Sequence, residues 1–300
     1  MSTQTTSATA TRTEAAFELT DEQKYEFDLR GFLVLRQLYD EEAIGEFNAG
    51  IDELQAIPVE HETYRRLGVG HFLMAPAMAD PEHPGWHGEL GEGRVNPQTG
   101  AVWKVEHALC GTDKFDRIVR DPILRAIHTT LAGGPMFISA TYFIERVRSS
   151  AVGGLHNGGY PVDRDIYYAY DHASRRFTCR STKSVVILTD MTRIEQGPFA
   201  ALPGSHKSNF ACPFEMIDPR NNPAAVPVLA APGDVIIFSE GITHDAYPVT
   251  DDSTRRSVYF NYMPGIVRNN LPDQRMSIYP DHVLERLSDQ LDILSTPGYM

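Results

Sequence analysis

Apolar positions follow a helical rhythm early in the chain and a strand rhythm later. Thr20-Asp21-Glu22-Gln23 puts an N-cap hydroxyl and two acids at the positive end of a helix, which predicts a short helix to about Leu29. Gly31 ends it, and Phe32-Leu33-Val34-Leu35 is an apolar run of strand length. Asp40 can then cap a helix whose apolar residues recur at Ile44, Phe47, Ile51 and Leu54. Helical spacing returns from Asp113 to Leu131, divided at Asp121-Pro122, where aspartate caps and proline opens a second helix, and Gly133-Gly134-Pro135 stops it. After Met136 short strands follow between turn residues: Phe137–Val147, Tyr167–Tyr170, Ser184–Leu188, Val226–Leu229, Asp234–Phe238 and Ser257–Tyr262. A last helix is expected over about Pro280 to Leu294. Many short strands and few helices predict a mainly β fold, a barrel or sandwich with the early helices packed on one face.

The excursion at 58–100 breaks this pattern with prolines, glycines and His61, His71, His83 and His87, and reads as a long irregular passage over the surface or across a site mouth. Residues 1–15 are rich in Ser, Thr and Ala, with neither the basic start nor the apolar stretch of a signal peptide, so a disordered tail is expected there and a single domain over 16–300. No apolar run approaches the ~20 residues of a membrane helix. A net charge of −13 argues against a surface built for a nucleic-acid polymer, although a small anion held by local arginines stays possible. Cys110, Cys179 and Cys212 form no CxxC pair, which points away from a disulfide scaffold or cysteine-bound zinc and towards a reducing cytoplasm.

The chemistry gathers in the β half. Gly154-Leu155-His156-Asn157-Gly158-Gly159-Tyr160 places a histidine in a glycine-rich turn, His244 follows the strand Val235-Ile236-Ile237-Phe238 on a loop, and Arg255-Arg256 opens the next strand. Neutral imidazoles are common ligands of iron, copper and zinc, and a guanidinium fork matches a carboxylate, so the set suggests a metal site with an anion clamp. Side chains alternate across a strand, so only one of Arg255 and Arg256 should face inward. His128, His172, His282 and the four histidines of the excursion lack such partners and read as packed or surface residues.

The segments Thr189-Asp190-Met191-Thr192, Gln196-Gly197-Pro198-Phe199-Ala200-Ala201-Leu202-Pro203-Gly204-Ser205-His206-Lys207, Pro232-Gly233-Asp234-Val235-Ile236-Ile237-Phe238, His244 and Arg255-Arg256-Ser257-Val258 resemble, in order and spacing, the phytanoyl-CoA dioxygenase family. Gly31-Phe32-Leu33-Val34-Leu35 is similar to the start of that family's domain. The resemblance implies a double-stranded β-helix, a jelly-roll or cupin-like barrel, and an Fe(II)- and 2-oxoglutarate-dependent oxygenase that consumes O2. By position it makes His156 and His244 the metal ligands and Arg255, with Arg256 beside it, the partner of the cosubstrate's distal carboxylate. Lys104, next to Trp103, falls where some members add a cosubstrate contact, against its plain reading as a surface lysine flanking a helix. His206 lies in a turn that shapes the barrel rim and reads as structural, as does Asp190.

Most members carry His-x-Asp at the first motif, and Gly158 stands where that aspartate would complete the triad. Three readings follow. A halide, chloride above all, fills the vacated position, as in radical halogenases whose motif is His-x-Ala or His-x-Gly, with Asn157 and nearby amides donating hydrogen bonds to it. Alternatively, water or another carboxylate, with Asp163 and Asp165 the nearest in sequence, serves an oxygenase. The third reading is a non-catalytic binding module. The mix of tyrosines and arginines from Tyr160 to Arg180 reads either as a substrate lid or as a strand pair with arginines on its solvated face. No basic helix stands out, so a free small molecule is expected as substrate rather than a carrier-bound one.

Overall fold

The computed structural model describes residues 17–56, 103–106 (backbone only), 108–148, 154–157, 168–265 and 279–294. The excursion at 58–100 and the N-terminal tail lie outside them.

Helix α1 (Asp21–Arg30) begins as the sequence predicts: the Thr20 hydroxyl accepts from the Gln23 amide and the Gln23 side chain accepts from the Thr20 amide. It ends at Gly31, whose φ of 83° is left-handed and where a Cβ would meet His206 Nδ1 at 2.5 Å. Strand β1 (Phe32–Leu35) follows, then α2 (Glu41–Ala56), whose Ala43 amide is capped by Asp40. Strand β2 (Trp103–Glu106), the one-turn α3 (Asp116–Val119) and α4 (Pro122–Ala132) precede the β-rich part, with Asp121 capping α4. There come β3 (Met136–Arg146), β4 (Ala169–Asp171), β5 (Arg176–Thr178), β6 (Thr182–Ile187), β7 (Phe199–Leu202), β8 (Val226–Val228), β9 (Val235–Ser239), β10 (Thr243–Ala246) and β11 (Arg255–Pro264).

Two antiparallel sheets face each other. The larger has the order β1-β9-β6-β11-β3-β2 and the smaller β10-β7-β8, while β4 and β5 form a separate hairpin. Between the sheets, Phe32, Val185, Ile187, Ile236 and Phe238 of the large sheet meet Phe199, Ala201 and Val228 of the small one. The other face of the large sheet presents Leu33, Val186, Ile237, Val258 and Phe260 to Phe47 and Ile51 of α2 and Leu124, Ile127 and Leu131 of α4. With both faces covered, its central strands are apolar at successive positions, which is why β9 reads as the unbroken run Val-Ile-Ile-Phe. This is the mainly β, jelly-roll-like fold with flanking helices that the resemblance implies. Among the described residues no helix is long and apolar enough to cross a membrane.

Three local expectations change. His244 lies inside β10, paired with Ala201 of β7, and not on a loop. Lys104 sits on a strand, β2, in register with Ile144. The last helix divides at Leu287 into α5 (Asp281–Arg286) and α6 (Leu291–Leu294), a bend that lets Val283, Leu287, Ile293 and Leu294 all reach the core.

Candidate functional site

The two histidines are neighbours on one rung of β-ladder. His156 and His244 exchange both backbone hydrogen bonds, at 3.0 and 2.8 Å, in an isolated antiparallel bridge that adds residue 156 to the edge of β10. Their rings stand 4.5 Å apart. Each Nδ1 faces a carbonyl oxygen two residues back, His156 that of Gly154 at 2.8 Å and His244 that of Ile242 at 2.9 Å. A carbonyl can only accept, so Nδ1 carries a proton in both rings, which leaves Nε2 as the nitrogen that a neutral ring offers to a metal. Burial pushes the His244 imidazole down to about 3, against the opposing pull of Glu240, so it is neutral at ordinary pH. Neutral imidazoles with oriented Nε2 atoms fit a divalent metal.

A carboxylate stands close by. Glu240, on the turn between β9 and β10, places Oε1 3.8 Å from His244 Nε2. Metal bonds of about 2.1 Å put two ligands of one ion at most about 4.2 Å apart, so this spacing is within reach of a shared ion. Glu240 also forms a 2.7 Å ion pair with Lys183 of β6, whose ammonium lies 5.6 Å from the centre of the Tyr142 ring. Burial would raise the Glu240 carboxyl, but Lys183 prevails and holds it below the usual range. Among the described residues no three His, Cys, Asp or Glu side chains already form a metal cluster.

The two arginines part as alternation requires. Arg255 is 1% exposed and faces the space between the sheets; Nη2 donates to Tyr259 Oη at 3.1 Å, while Nε and Nη1 have no partner. Tyr259 is fixed in turn by the Ser257 hydroxyl, at 3.2 Å, and by stacking on Tyr142. Gly197, with φ 70°, lets this side chain pass: a Cβ there would lie 3.4 Å from Arg255 Cδ and 2.8 Å from Val249. Arg256 points to the other face, where Nε meets Glu145 at 2.6 Å and Nη1 meets Asp52 of α2 at 2.8 Å. It is thus turned away from the histidines, and the expectation of a cofactor contact from Arg256 is replaced by a tie between sheet and helix. Buried guanidinium donors without partners are costly, and a carboxylate that fills them resolves the cost, so Arg255 fits the distal end of 2-oxoglutarate.

Asn157 Nδ2 donates to Thr243 Oγ1 at 3.3 Å, beside His156. Gly158, Asp163 and Asp165 lie outside the described residues, as do the side chain of Lys104 and the first part of the Tyr160–Arg180 stretch. The described part of that stretch forms the β4–β5 hairpin, with Arg175 and Arg176 exposed, and joins α1 around a separate cavity of about 750 Å³. A cavity of about 720 Å³ opens at His156, Asn157 and Thr243 and is walled by Leu202, Phe210, Phe214 and Met216; no Asp, Glu, Lys or Arg among the described residues lines it. His206 packs edge-on against Tyr168 under Gly31, a structural position. The sequence reading passed over Arg146, Lys183 and Glu240. The first two stand in apolar strands at positions that face the other sheet, and a charged residue there is itself a signal.

Two facing antiparallel sheets with a histidine pair at the edge of the smaller one define the class of fold, and solved structures share that fold. HygX from Streptomyces hygroscopicus, with nickel and 2-oxoglutarate bound, is 21% identical with a TM-score of 0.62, over 82% of this chain and 88% of that one. The α-ketoglutarate-dependent carbocyclase SnoK from nogalamycin biosynthesis is 17% identical with a TM-score of 0.54, over 94% of each chain. AviO1 from Streptomyces viridochromogenes is 17% identical with a TM-score of 0.54, over 82% and 95%. No curated protein matches the chain. The chain belongs to the phytanoyl-CoA dioxygenase (PhyH) family, whose profile matches residues 27–257.

Proposed function

We propose that this oxidoreductase binds Fe(II) through His156 and His244 and 2-oxoglutarate through Arg255, and with O2 attacks an unactivated C–H bond of a free small molecule, transferring a halide to carbon. Iron, 2-oxoglutarate and O2 together supply the oxidant. What the chain adds is two oriented Nε2 donors, a buried guanidinium with unsatisfied donors, and a cavity beside His156 whose described lining, Leu202, Phe210, Phe214 and Met216 among it, carries no charge and suits a largely apolar substrate. HygX holds nickel and 2-oxoglutarate on a like fold, which supports the same pair of ligands here.

The halide transfer rests on one observation: Gly158 puts no carboxylate two residues after His156. A glycine leaves that position to a chloride, whereas an aspartate would repel it and occupy its place. The test is a single turnover of the anaerobically loaded protein, mixed with O2 and chloride, with product mass as readout. Chlorinated product and its loss in Gly158→Asp support the reading; hydroxylated product alone on the true substrate overturns it.

Glu240 favours a second reading. Its carboxylate, 3.8 Å from His244 Nε2, can replace the missing aspartate from another point on the chain and give a hydroxylase. Hydroxylation that is insensitive to chloride and lost in Glu240→Gln would select it.

A further inference from the structure

Arg146 of β3 and Arg255 of β11 are direct register partners on adjacent antiparallel strands, so their side chains leave the sheet on the same face. Like charges in that position repel and are disfavoured unless something between them compensates. Both are buried, Arg146 at 8% and Arg255 at 1%. Arg146 Nη2 reaches Asp245 Oδ1 at 3.4 Å, and its Nε and Nη1 have no partner. With the two free nitrogens of Arg255, four buried guanidinium nitrogens lack an acceptor. Among the described residues Asp245 is the one carboxylate in salt-bridge contact with either group, so one positive charge stays uncompensated. The orphaned donors and the surplus charge call for the same thing, a carboxylate held by two forks. A carboxylate has about four lone-pair sites and can accept from both arginines at once.

Asp245 does a second job. Its Oδ2 accepts the Gly154 amide at 2.9 Å, and the Gly154 carbonyl is the oxygen that orients His156 Nδ1 at 2.8 Å. Arg146, Asp245, Gly154 and His156 therefore form one hydrogen-bonded line between the clamp and the metal-binding ring.

Building on the proposed function, we infer that Arg146 is the second arm of the 2-oxoglutarate clamp, gripping the distal carboxylate opposite Arg255, and that Asp245 couples this grip to the position of His156. By reciprocity, cosubstrate and metal then strengthen each other's binding.

The experiment is anaerobic binding to the Fe(II)-loaded full-length protein, read by the visible charge-transfer band of the complex, with 2-oxoglutarate and with 2-oxobutanoate, which has the same keto-acid end and no distal carboxylate. Arg146→Gln is expected to weaken 2-oxoglutarate about tenfold to a hundredfold, the worth of one charge-assisted contact, and to leave 2-oxobutanoate unchanged. Arg146→Lys, which keeps the charge and loses the fork, should fall between. A merely structural role would weaken both ligands equally, and that result overturns the inference, as does unchanged 2-oxoglutarate affinity. If Arg146→Gln does not fold, the Lys variant carries the same comparison. Cobalt(II) titration without any keto acid separates this inference from the reading beneath it. Failure of the wild type to bind cobalt, or of His244→Ala to lose it, removes the proposed metal site itself, whereas Arg146→Gln should still bind the ion, weakened only as far as the line through Asp245 and Gly154 carries the change. Asp245→Asn should reduce the mutual enhancement of metal and 2-oxoglutarate; full enhancement in that variant overturns the coupling.

Discussion

Arg255 and Arg256 show how much one step along a strand decides. Adjacent in sequence, they occupy opposite faces of β11, one with free donors between the sheets and the other tied to Glu145 and Asp52. Arg256→Ala should lower stability by about 1–3 kcal/mol, since it leaves the partly buried Glu145 without its partner, and should leave 2-oxoglutarate affinity unchanged. Arg255→Gln should do the reverse and weaken the ligand with little loss of stability. Urea unfolding and the charge-transfer titration, run on both variants, check the pair. The sequence carried this choice only as far as alternation: one of the two had to face inward, and family spacing favoured Arg255. A charge inside an apolar strand marks Arg146 and Lys183 as unusual, but the roles of these two and of Glu240 were not legible, because they depend on which strands become neighbours. The partners of Arg146 lie on β10 and β11, far along the chain, and no local spacing records that.

At the scale of elements, the helix starts, the breaking glycines and most strands follow from local chemistry, because caps, left-handed glycines and apolar runs act within a few residues. What failed to follow depended on tertiary pairing. Strand β10 has only four residues and one of them is His244, so it forms because β7 pairs with it and not through propensity. The Pro-Gly-Asp turn before β9 shows the opposite case, a motif with a local reason. Gly233 has φ 93°, and a Cβ there would lie 2.3 Å from the Tyr39 carbonyl. Asp234 accepts from the Gln37 and Ala231 amides at 2.9 and 3.0 Å and from Arg36 Nη1 at 2.7 Å. Burial would raise its carboxyl, but these donors hold it below the ordinary range. Asp234→Ala should therefore cost about 1–3 kcal/mol by leaving the Gln37 and Ala231 amides and Arg36 without their shared acceptor, with the loss read as a lower midpoint in chemical unfolding.

For the molecule as a whole, buried neutral histidines set an acid limit. His128 lies between the Thr182 and Ser184 hydroxyls at 2.7 and 2.6 Å, and burial pushes it down to about 3; His206 is likewise pushed down by burial, to about 4. Both fall below the ordinary value of ~6.5 in an unfolded chain. Their neutral forms thus stabilise the fold fully above about pH 6.5, and that contribution is lost as pH falls from there towards the folded values, at about 1.4 kcal/mol per pH unit for each group. The melting temperature should fall between about pH 6 and 4, and His128→Gln should melt lower at neutral pH but with a shallower slope across that window. An unchanged slope in the variant would show that His128 is not one of the groups taking up protons.

The rung between His156 and His244 has one more consequence, for observation. Each amide hydrogen is held by the other residue's carbonyl, so both are shielded from solvent only while the bridge is closed. An ion gripped by both imidazoles keeps it closed and slows exchange at those two amides in proportion to the stabilisation it confers. Hydrogen exchange at two backbone positions therefore reads metal affinity directly, before any substrate has been identified.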